Sequence, residues 1–176
     1  MPKDNIDRAI KRGTGEIGGG TIESITYEGF GPAGVTLIIE CLTDNRNRTA
    51  ANIKHYLTKY GGSLGGPGSV SWQFEQKGVV RVKNVPDNLE LQIIDAGASD
   101  ITPEDGGITI YTAVAALRSV KELLDGQHIP IEYAEIEQVA KEQKTLTNEE
   151  RTTLDKLSAD LENDEDVHNY YTNATG

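Results

Sequence analysis

The sequence has 176 residues and a formal net charge of −11, with 26% charged side chains, which is typical of a soluble globular protein of one large or two small domains. No apolar stretch is long enough to cross a membrane and the N-terminus is polar, so we expect neither a membrane protein nor a secretory signal peptide. Cys41 is the only cysteine, which excludes an internal disulfide and favours a reducing, cytoplasmic location.

The first sixty residues are predicted to form a helix, a hairpin and a second helix. A short helix is expected over residues 4–12, where Asp4 can cap its start and Gly13 ends it, and a Gly-rich linker follows up to residue 20. Residues 21–27 and 35–42 are rich in β-formers and predict two strands. A helix is then expected from 46 to 60, capped by Asp44 or Asn45.

The segment between the two strands contains Gly29, Gly31 and Gly34 in the G-x-G-x-x-G spacing of dinucleotide-binding loops. That loop requires a helix directly after the glycines, so that the pyrophosphate meets a helix N-terminus. Here a β-branched apolar run follows instead, which is typical of a strand. The sequence therefore predicts a β-hairpin and no nucleotide cofactor.

The middle of the chain has the order of a ferredoxin-like unit. A flexible loop over 61–68 and a strand over 69–75 are predicted to precede it. The elements that follow have the order β-α-β-β-α-β, which defines that fold. The predicted elements are a strand at 79–82, a helix from 86 to 97, strands around Ile101 and at 108–111, a helix at 114–125 and a strand at 129–139.

The last forty residues predict one further helix and strand. Thr147 and Glu150 have the spacing of a capping box, and Leu154, Leu157 and Leu161 follow at helical spacing. Residues 167–172 predict a strand. Alone this tail has no partners, so we expect it to return to the first hairpin and the helix at 46–60.

These elements predict an α+β fold of the α/β sandwich type, with two α/β domains and a residual N-terminal helix. The first domain is discontinuous and comprises residues 21–76 and 134–176. The second, ferredoxin-like domain comprises residues 77–133 and is inserted into the first. Residues 1–20 form the N-terminal helix and its linker.

A cationic stripe on the predicted helix at 46–60 is the main candidate site. Its members are spaced four, three and four residues apart and share one face, while apolar residues on the opposite face pack on the sheet. Such a stripe suits phosphate contacts, although an ordinary solvated helix face is equally compatible with it. The stripe consists of Arg48, Asn52, His55 and Lys59, with Arg46 and Lys54 beside it.

Charge also places the expected nucleic-acid contacts in the first third. Residues 1–60 have a net charge of +1, and residues 61–176 have a net charge of −12, which repels phosphates. The further basic candidates in this part are Lys3, Arg8, Lys11 and Arg12.

No catalytic, cofactor or metal site is predicted, and the chain is not expected to be an enzyme. His55, His128 and His168 lack the spacing of metal ligands, and the 61–68 loop lacks the Gly-Lys-Ser/Thr ending of a phosphate-binding loop. An acidic run over 160–166 lacks calcium-loop spacing and is interpreted as a solvated helix end.

Four segments together resemble the YebC/PmpR family. They are residues 1–13, 27–34 and 44–49, and the pair 61–64 and 68–70. The family includes probable transcriptional regulators of bacteria and the mitochondrial translational activator of cytochrome c oxidase subunit I. The resemblance implies a DNA-binding regulator of transcription. An alternative is a ribosome-associated translation factor that relieves stalling at proline-rich stretches, and a third is a non-catalytic protein-interaction module.

The resemblance also implies three domains, the first of them helical and basic. In the family, the segment that resembles residues 1–13 follows several dozen residues of that first domain. Here the same segment opens the sequence. We therefore expect residues 1–20 to contain the last helix of a truncated N-terminal domain.

Overall fold

A computed structural model describes residues 21–175 of the chain. These residues form two four-stranded sheets with helices, which is the predicted α+β fold. They divide into two compact units. Unit 1 contains the described residues up to Phe74 together with those from Ala140 onward, and unit 2 contains Glu75–Val139. The helix predicted over 4–12 lies outside the described residues.

Unit 1 consists of one sheet with two helices on one face. The elements are β1 (Glu23–Phe30), β2 (Thr36–Thr43), α1 (Arg46–Lys59), β3 (Ser63–Gly65), α4 (Asn148–Asn163) and β8 (Val167–Thr172). The strand order is β3-β1-β2-β8, and each neighbouring pair is antiparallel.

The glycine-rich segment forms a β-hairpin, as predicted. Strands β1 and β2 pair along their whole length, from Glu23 opposite Thr43 to Phe30 opposite Thr36. A 3-10 turn at Pro32–Gly34 joins them. Gly34 has a φ of +74°, in the left-handed region that glycine adopts without strain, so this glycine serves the turn.

The core of unit 1 lies between the sheet and both helices. Ile53 and Leu57 of α1 and three leucines of α4 are buried, and Thr147 and Glu150 form the predicted capping box. Cys41 is buried in this core, and desolvation raises the pKa of its thiol, so it behaves as a small hydrophobe. The principal core side chains are Val35, Leu37, Ile39, Ile53, Leu57, Leu154, Leu157, Leu161 and Val167.

The tail returns to the first hairpin, as predicted. Strand β8 pairs with β2 and completes the sheet at that edge. Beyond β8, the Asn173 side chain accepts a hydrogen bond from the Thr36 backbone N–H at 3.0 Å. The end of the described chain is therefore fixed to the start of β2.

Unit 2 has the strand order β5-β6-β4-β7, which is the ferredoxin-like order. Its core contains Val80, Ile93, Ile110, Val120 and Leu124, all fully buried. The elements are β4 (Phe74–Val82), α2 (Glu90–Asp95), β5 (Ala98–Glu104), β6 (Gly107–Thr112), α3 (Leu117–Gly126) and β7 (Ile131–Ala140).

Two local predictions between 61 and 75 are wrong. Ser63–Gly65, expected to be part of a flexible loop, pairs with β1 as β3. The strand predicted over 69–75 is mostly a loop with a 3-10 turn at Ser71–Gln73, and β4 begins only at Phe74. Val70 and Phe74 are both buried while Trp72 between them is exposed, so the segment lacks the alternating burial that the sequence pattern predicted.

Candidate nucleic-acid interface

Helix α1 packs its apolar face on the core and turns its predicted cationic stripe towards residues 160–166. Asn45 caps the helix by accepting a hydrogen bond from the Arg48 backbone N–H at 3.1 Å, one of the two caps predicted. The opposite face meets the end of α4 and the segment that joins it to β8, which together carry the acidic run. The run and the stripe therefore lie side by side.

Arg48 is held by two carboxylates of the chain itself. Its Nε and Nη2 donate to both oxygens of Asp166 at 2.9–3.1 Å, and Nη2 also donates to Asp44 at 2.9 Å. The Thr49 hydroxyl donates to the same Asp166 carboxylate at 2.9 Å. The Asp166 side chain is 1% exposed, so this is a bidentate pair with a buried carboxylate.

Asn52 and Lys59 also meet the acidic segment. The Asn52 amide and the Tyr56 hydroxyl both donate to Asp164, at 3.3 and 2.7 Å. Lys59 lies 3.4 Å from a carboxylate oxygen of Asp160. Asp164 and Asp166 are buried, so the interpretation of the acidic run as a solvated helix end is wrong for these two residues.

The remaining candidates differ in their availability. Arg46 forms a surface ion pair with Glu23 at 3.6 Å, a type of contact that contributes little. Lys54 and His55 are exposed, and within the described residues Lys54 forms no ion pair. Lys3, Arg8, Lys11 and Arg12 lie outside the described residues. Among the cations of the stripe, Arg48 and Lys59 are therefore paired with carboxylates of the chain, whereas Arg46 and Lys54 remain largely exposed.

The glycine-rich loop after α1 is organised around Glu28, whose role the sequence did not indicate. The Glu28 carboxylate accepts hydrogen bonds from the backbone N–H groups of Gly68, Val70 and Ser71, at 2.7, 3.0 and 2.6 Å. Three backbone amides that converge in this way can bind an anion. The protein's own carboxylate takes them, so the loop is an occupied anion-binding nest.

We expect Glu28 to hold this loop at neutral pH and to release it in acid. Burial by itself raises the pKa of the carboxyl, but the hydrogen bonds from Gly68, Val70 and Ser71 outweigh it and bring the pKa below its ordinary value of 4.5. Such a carboxylate contributes stability that is present above the ordinary pKa and is lost as pH falls through the folded-state pKa. Hydrogen-exchange protection of these three amides should therefore fall as the pH is lowered below 4.5, before that of β1 and β2.

A Glu28→Gln variant provides the control for this expectation, because it removes the charge at every pH. Its loop amides should exchange faster than those of the unmodified protein at pH 7, and their protection should lose its acid dependence. Equal protection in the two proteins at pH 7 would contradict the role given to Glu28.

Trp72 is a second residue that the sequence did not single out, since it was placed on a predicted strand. It lies on the 3-10 turn and its side chain is 68% exposed. The indole Nε1 donates to the Ser69 carbonyl at 3.2 Å. A cavity of about 380 Å³ adjoins it, lined by Trp72, Gln73, Lys141 and Glu142.

Neither a metal centre nor a membrane span is found in residues 21–175. No three His, Cys, Asp or Glu side chains there lie close enough together to hold a metal ion. None of the helices in this range has the length and apolar character to cross a bilayer.

Two four-stranded sheets, one in each unit, define a two-unit α+β protein with a ferredoxin-like second unit. A family model described as the TACO1/YebC second and third domain matches residues 22–174, and the chain belongs to this family.

Named relatives and a solved structure agree with this assignment. The chain is 42% identical to a probable transcriptional regulatory protein of Thermoanaerobacter pseudethanolicus, over 98% of this chain and 72% of the relative. It is 46% identical to a protein of the same description from Persephonella marina, over 98% and 71%. The crystal structure of the conserved hypothetical protein Aq1575 from Aquifex aeolicus matches 99% of this chain and 74% of that one, with 39% identity and a TM-score of 0.80.

Proposed function

We propose that this protein is a non-catalytic, cytoplasmic regulator of gene expression that contacts nucleic acid. The observation that carries the proposal is the similarity, over 98% of the chain, to relatives named probable transcriptional regulatory proteins. We also propose that unit 1 and unit 2 correspond to the discontinuous domain of residues 21–76 and 134–176 and the inserted domain of residues 77–133.

Two nucleic-acid targets are compatible with this role. The first is duplex DNA, as expected of a DNA-binding transcriptional regulator. The second is the ribosome, as expected of a translation factor. A protein that binds duplex DNA specifically places unpaired cationic side chains on an element that enters a groove of the DNA. In this chain Arg48 and Lys59 of α1 instead form ion pairs with its own carboxylates. This pairing favours the ribosome as the target, because a small local contact to ribosomal RNA is enough for binding when protein surfaces also take part.

Ribosome cosedimentation beside a duplex DNA shift assay, with the whole chain at low and moderate salt, tests the proposal. We expect ribosome binding that weakens with added salt and stays above DNA binding. Binding to neither target at low salt would contradict the proposal, and tighter binding to DNA would favour the transcriptional branch.

Lys54 tests whether α1 takes part in that contact. If its exposed ammonium contacts a phosphate, Lys54→Ala should reduce the slope of log affinity against log salt by about one unit. The matched control is Lys83→Ala, which removes an exposed lysine of unit 2. An unchanged slope in Lys54→Ala would exclude α1 from the interface and leave the proposed function standing.

A protein-interaction role is the second candidate, because unit 2 has an acidic surface with exposed apolar side chains. Residues 75–139 carry five Lys or Arg against twelve Asp or Glu. On α2, Leu91 and Ile94 are 74% and 50% exposed beside acidic residues of the same helix. An apolar pair with an acidic rim suits a basic protein partner. In the cosedimentation assay, replacing both by serine should weaken binding to ribosomes while binding to protein-free RNA stays unchanged.

A further inference from the structure

The exposed indole of Trp72 makes one hydrogen bond, to the Ser69 carbonyl, and otherwise faces solvent. It is the only tryptophan of the sequence. A large aromatic ring with 68% of its surface in water is an unusual surface feature, and tryptophan is among the residues that most often anchor a bound partner.

The protein holds this ring on a fixed loop. Val70 and Phe74 on either side are buried in a small core with Ile38 and Tyr171. The indole N–H is bound to the Ser69 carbonyl, and the Glu28 carboxylate holds the backbone at Val70 and Ser71. Because the loop is anchored on both sides, ordering of the ring on binding loses little conformational entropy.

A cation lies beside the ring at a position that the backbone also fixes. The Lys141 backbone N–H donates to the Gln73 carbonyl at 2.8 Å, which ties residue 141 to the turn that carries Trp72. Lys141 is exposed and, within the described residues, forms no ion pair. Three residues further on, the Lys144 backbone N–H donates to the Asn173 carbonyl at 2.7 Å, so this segment is anchored as well.

We propose that this surface, the Trp72 groove (Trp72, Gln73, Lys141 and Glu142), binds single-stranded nucleic acid by stacking one unpaired base on the indole. Lys141 contacts an adjacent phosphate, and the side chains of Gln73 and Glu142 can hydrogen-bond the edge of the base. The proposal rests on the proposed function and names its contact site.

The chemistry of the groove separates this ligand from the other candidates. Its described lining residues combine one aromatic ring, Trp72, with a lysine and two side chains that can hydrogen-bond a base edge. Duplex DNA has its bases already stacked and offers no open base face to the ring. An aromatic ring beside a lysine is the combination that single-strand-binding proteins use.

The single tryptophan makes the site directly observable. Titration of the whole chain with a single-stranded adenosine RNA of about twelve nucleotides should quench the tryptophan fluorescence, and the quenching should follow the binding measured on a labelled oligonucleotide. A parallel titration with the deoxyadenosine oligonucleotide distinguishes RNA from DNA as the source of the base. The same RNA annealed to its complement should cause no such quenching.

Substitutions at Trp72 and Lys141 separate the contribution of base stacking from the contribution of charge. Trp72→Ala should weaken binding of the RNA by about 5- to 100-fold, and Trp72→Phe should keep most of the affinity because it keeps an aromatic face. Lys141→Gln should reduce the salt slope by about one unit. Val114→Ala, which truncates an exposed apolar side chain of unit 2, should bind RNA as the unmodified protein does.

The failures of this proposal and of the proposed function are distinguishable. If the oligonucleotide binds without quenching, or if Trp72→Ala binds as tightly as the unmodified protein, the groove is not the contact site and the regulatory role still stands. If RNA, DNA and ribosomes all fail to bind the unmodified protein, the proposed function itself fails. The fluorescence titration needs no variant, so it remains decisive should Trp72→Ala fold poorly.

Discussion

Replacement of Asp166 by alanine is expected to lower the free energy of unfolding by about 3 kcal/mol. The substitution removes the buried carboxylate that accepts the bidentate hydrogen bonds of Arg48 and the hydroxyl of Thr49. Thr49 is fully buried, and its hydroxyl loses this charged acceptor while keeping the Thr43 hydroxyl and the Asn45 carbonyl at 2.8 and 3.1 Å. The Arg48 side chain is 39% exposed and can be hydrated again by solvent. The expected loss of unfolding free energy therefore lies at the lower end of the range for a broken buried ion pair.

Urea denaturation at pH 7, followed by far-ultraviolet circular dichroism, measures this difference. The matched control is Asp155→Ala, which removes an exposed carboxylate of α4 and should change the free energy of unfolding by less than about 0.5 kcal/mol. If the two variants were equally stable, the Arg48–Asp166 pair would contribute nothing to holding β8 against α1.

Gly62→Ala should destabilise unit 1 by about 3 kcal/mol, since a methyl group at this position has no room. A Cβ there would collide with the Phe30 carbonyl oxygen and lie 2.9 Å from the Gly31 Cα. Both are backbone atoms of the β1 end of the hairpin, so no side-chain rotation relieves the overlap. Strand β3 would have to move away from β1.

Gly66→Ala is the matched control in the same loop, because a Cβ at Gly66 meets no atom within 4 Å. This variant should unfold within about 0.5 kcal/mol of the unmodified protein. Thermal denaturation of both variants measures the difference. A Gly62→Ala protein as stable as the Gly66→Ala protein would show that the close approach of β3 to β1 is not needed.

Local sequence signals predicted most elements of the fold. The Thr147–Glu150 capping box and the leucine spacing of α4 are properties of a few neighbouring residues, and so is the β-branched run of β2. Each fixes the conformation of its own segment whatever lies elsewhere. The order of these segments then indicated the ferredoxin-like unit and the return of the tail.

The candidate site was predicted less well, because its decisive contacts join distant parts of the chain. Helical spacing showed that Arg48 and Lys59 share a face, but it could not show that Asp166 and Asp160 lie opposite that face. Glu28 directly follows the strand predicted over 21–27, and nothing beside it in the sequence indicated a partner. Its hydrogen-bond partners at 68–71 lie about forty residues further along the sequence, and no local pattern predicts them.

The pairing of β2 with β8 has a consequence for the order of folding. All four strands of the unit 2 sheet are present once residue 140 has been synthesised, whereas β2 must wait for Val167–Thr172. Until then, its edge carries unpaired backbone groups of the kind that recruit other chains. We expect unit 2 to fold first and the sheet of unit 1 to be completed last, which makes β2 the strand of the nascent polypeptide most exposed to such pairing.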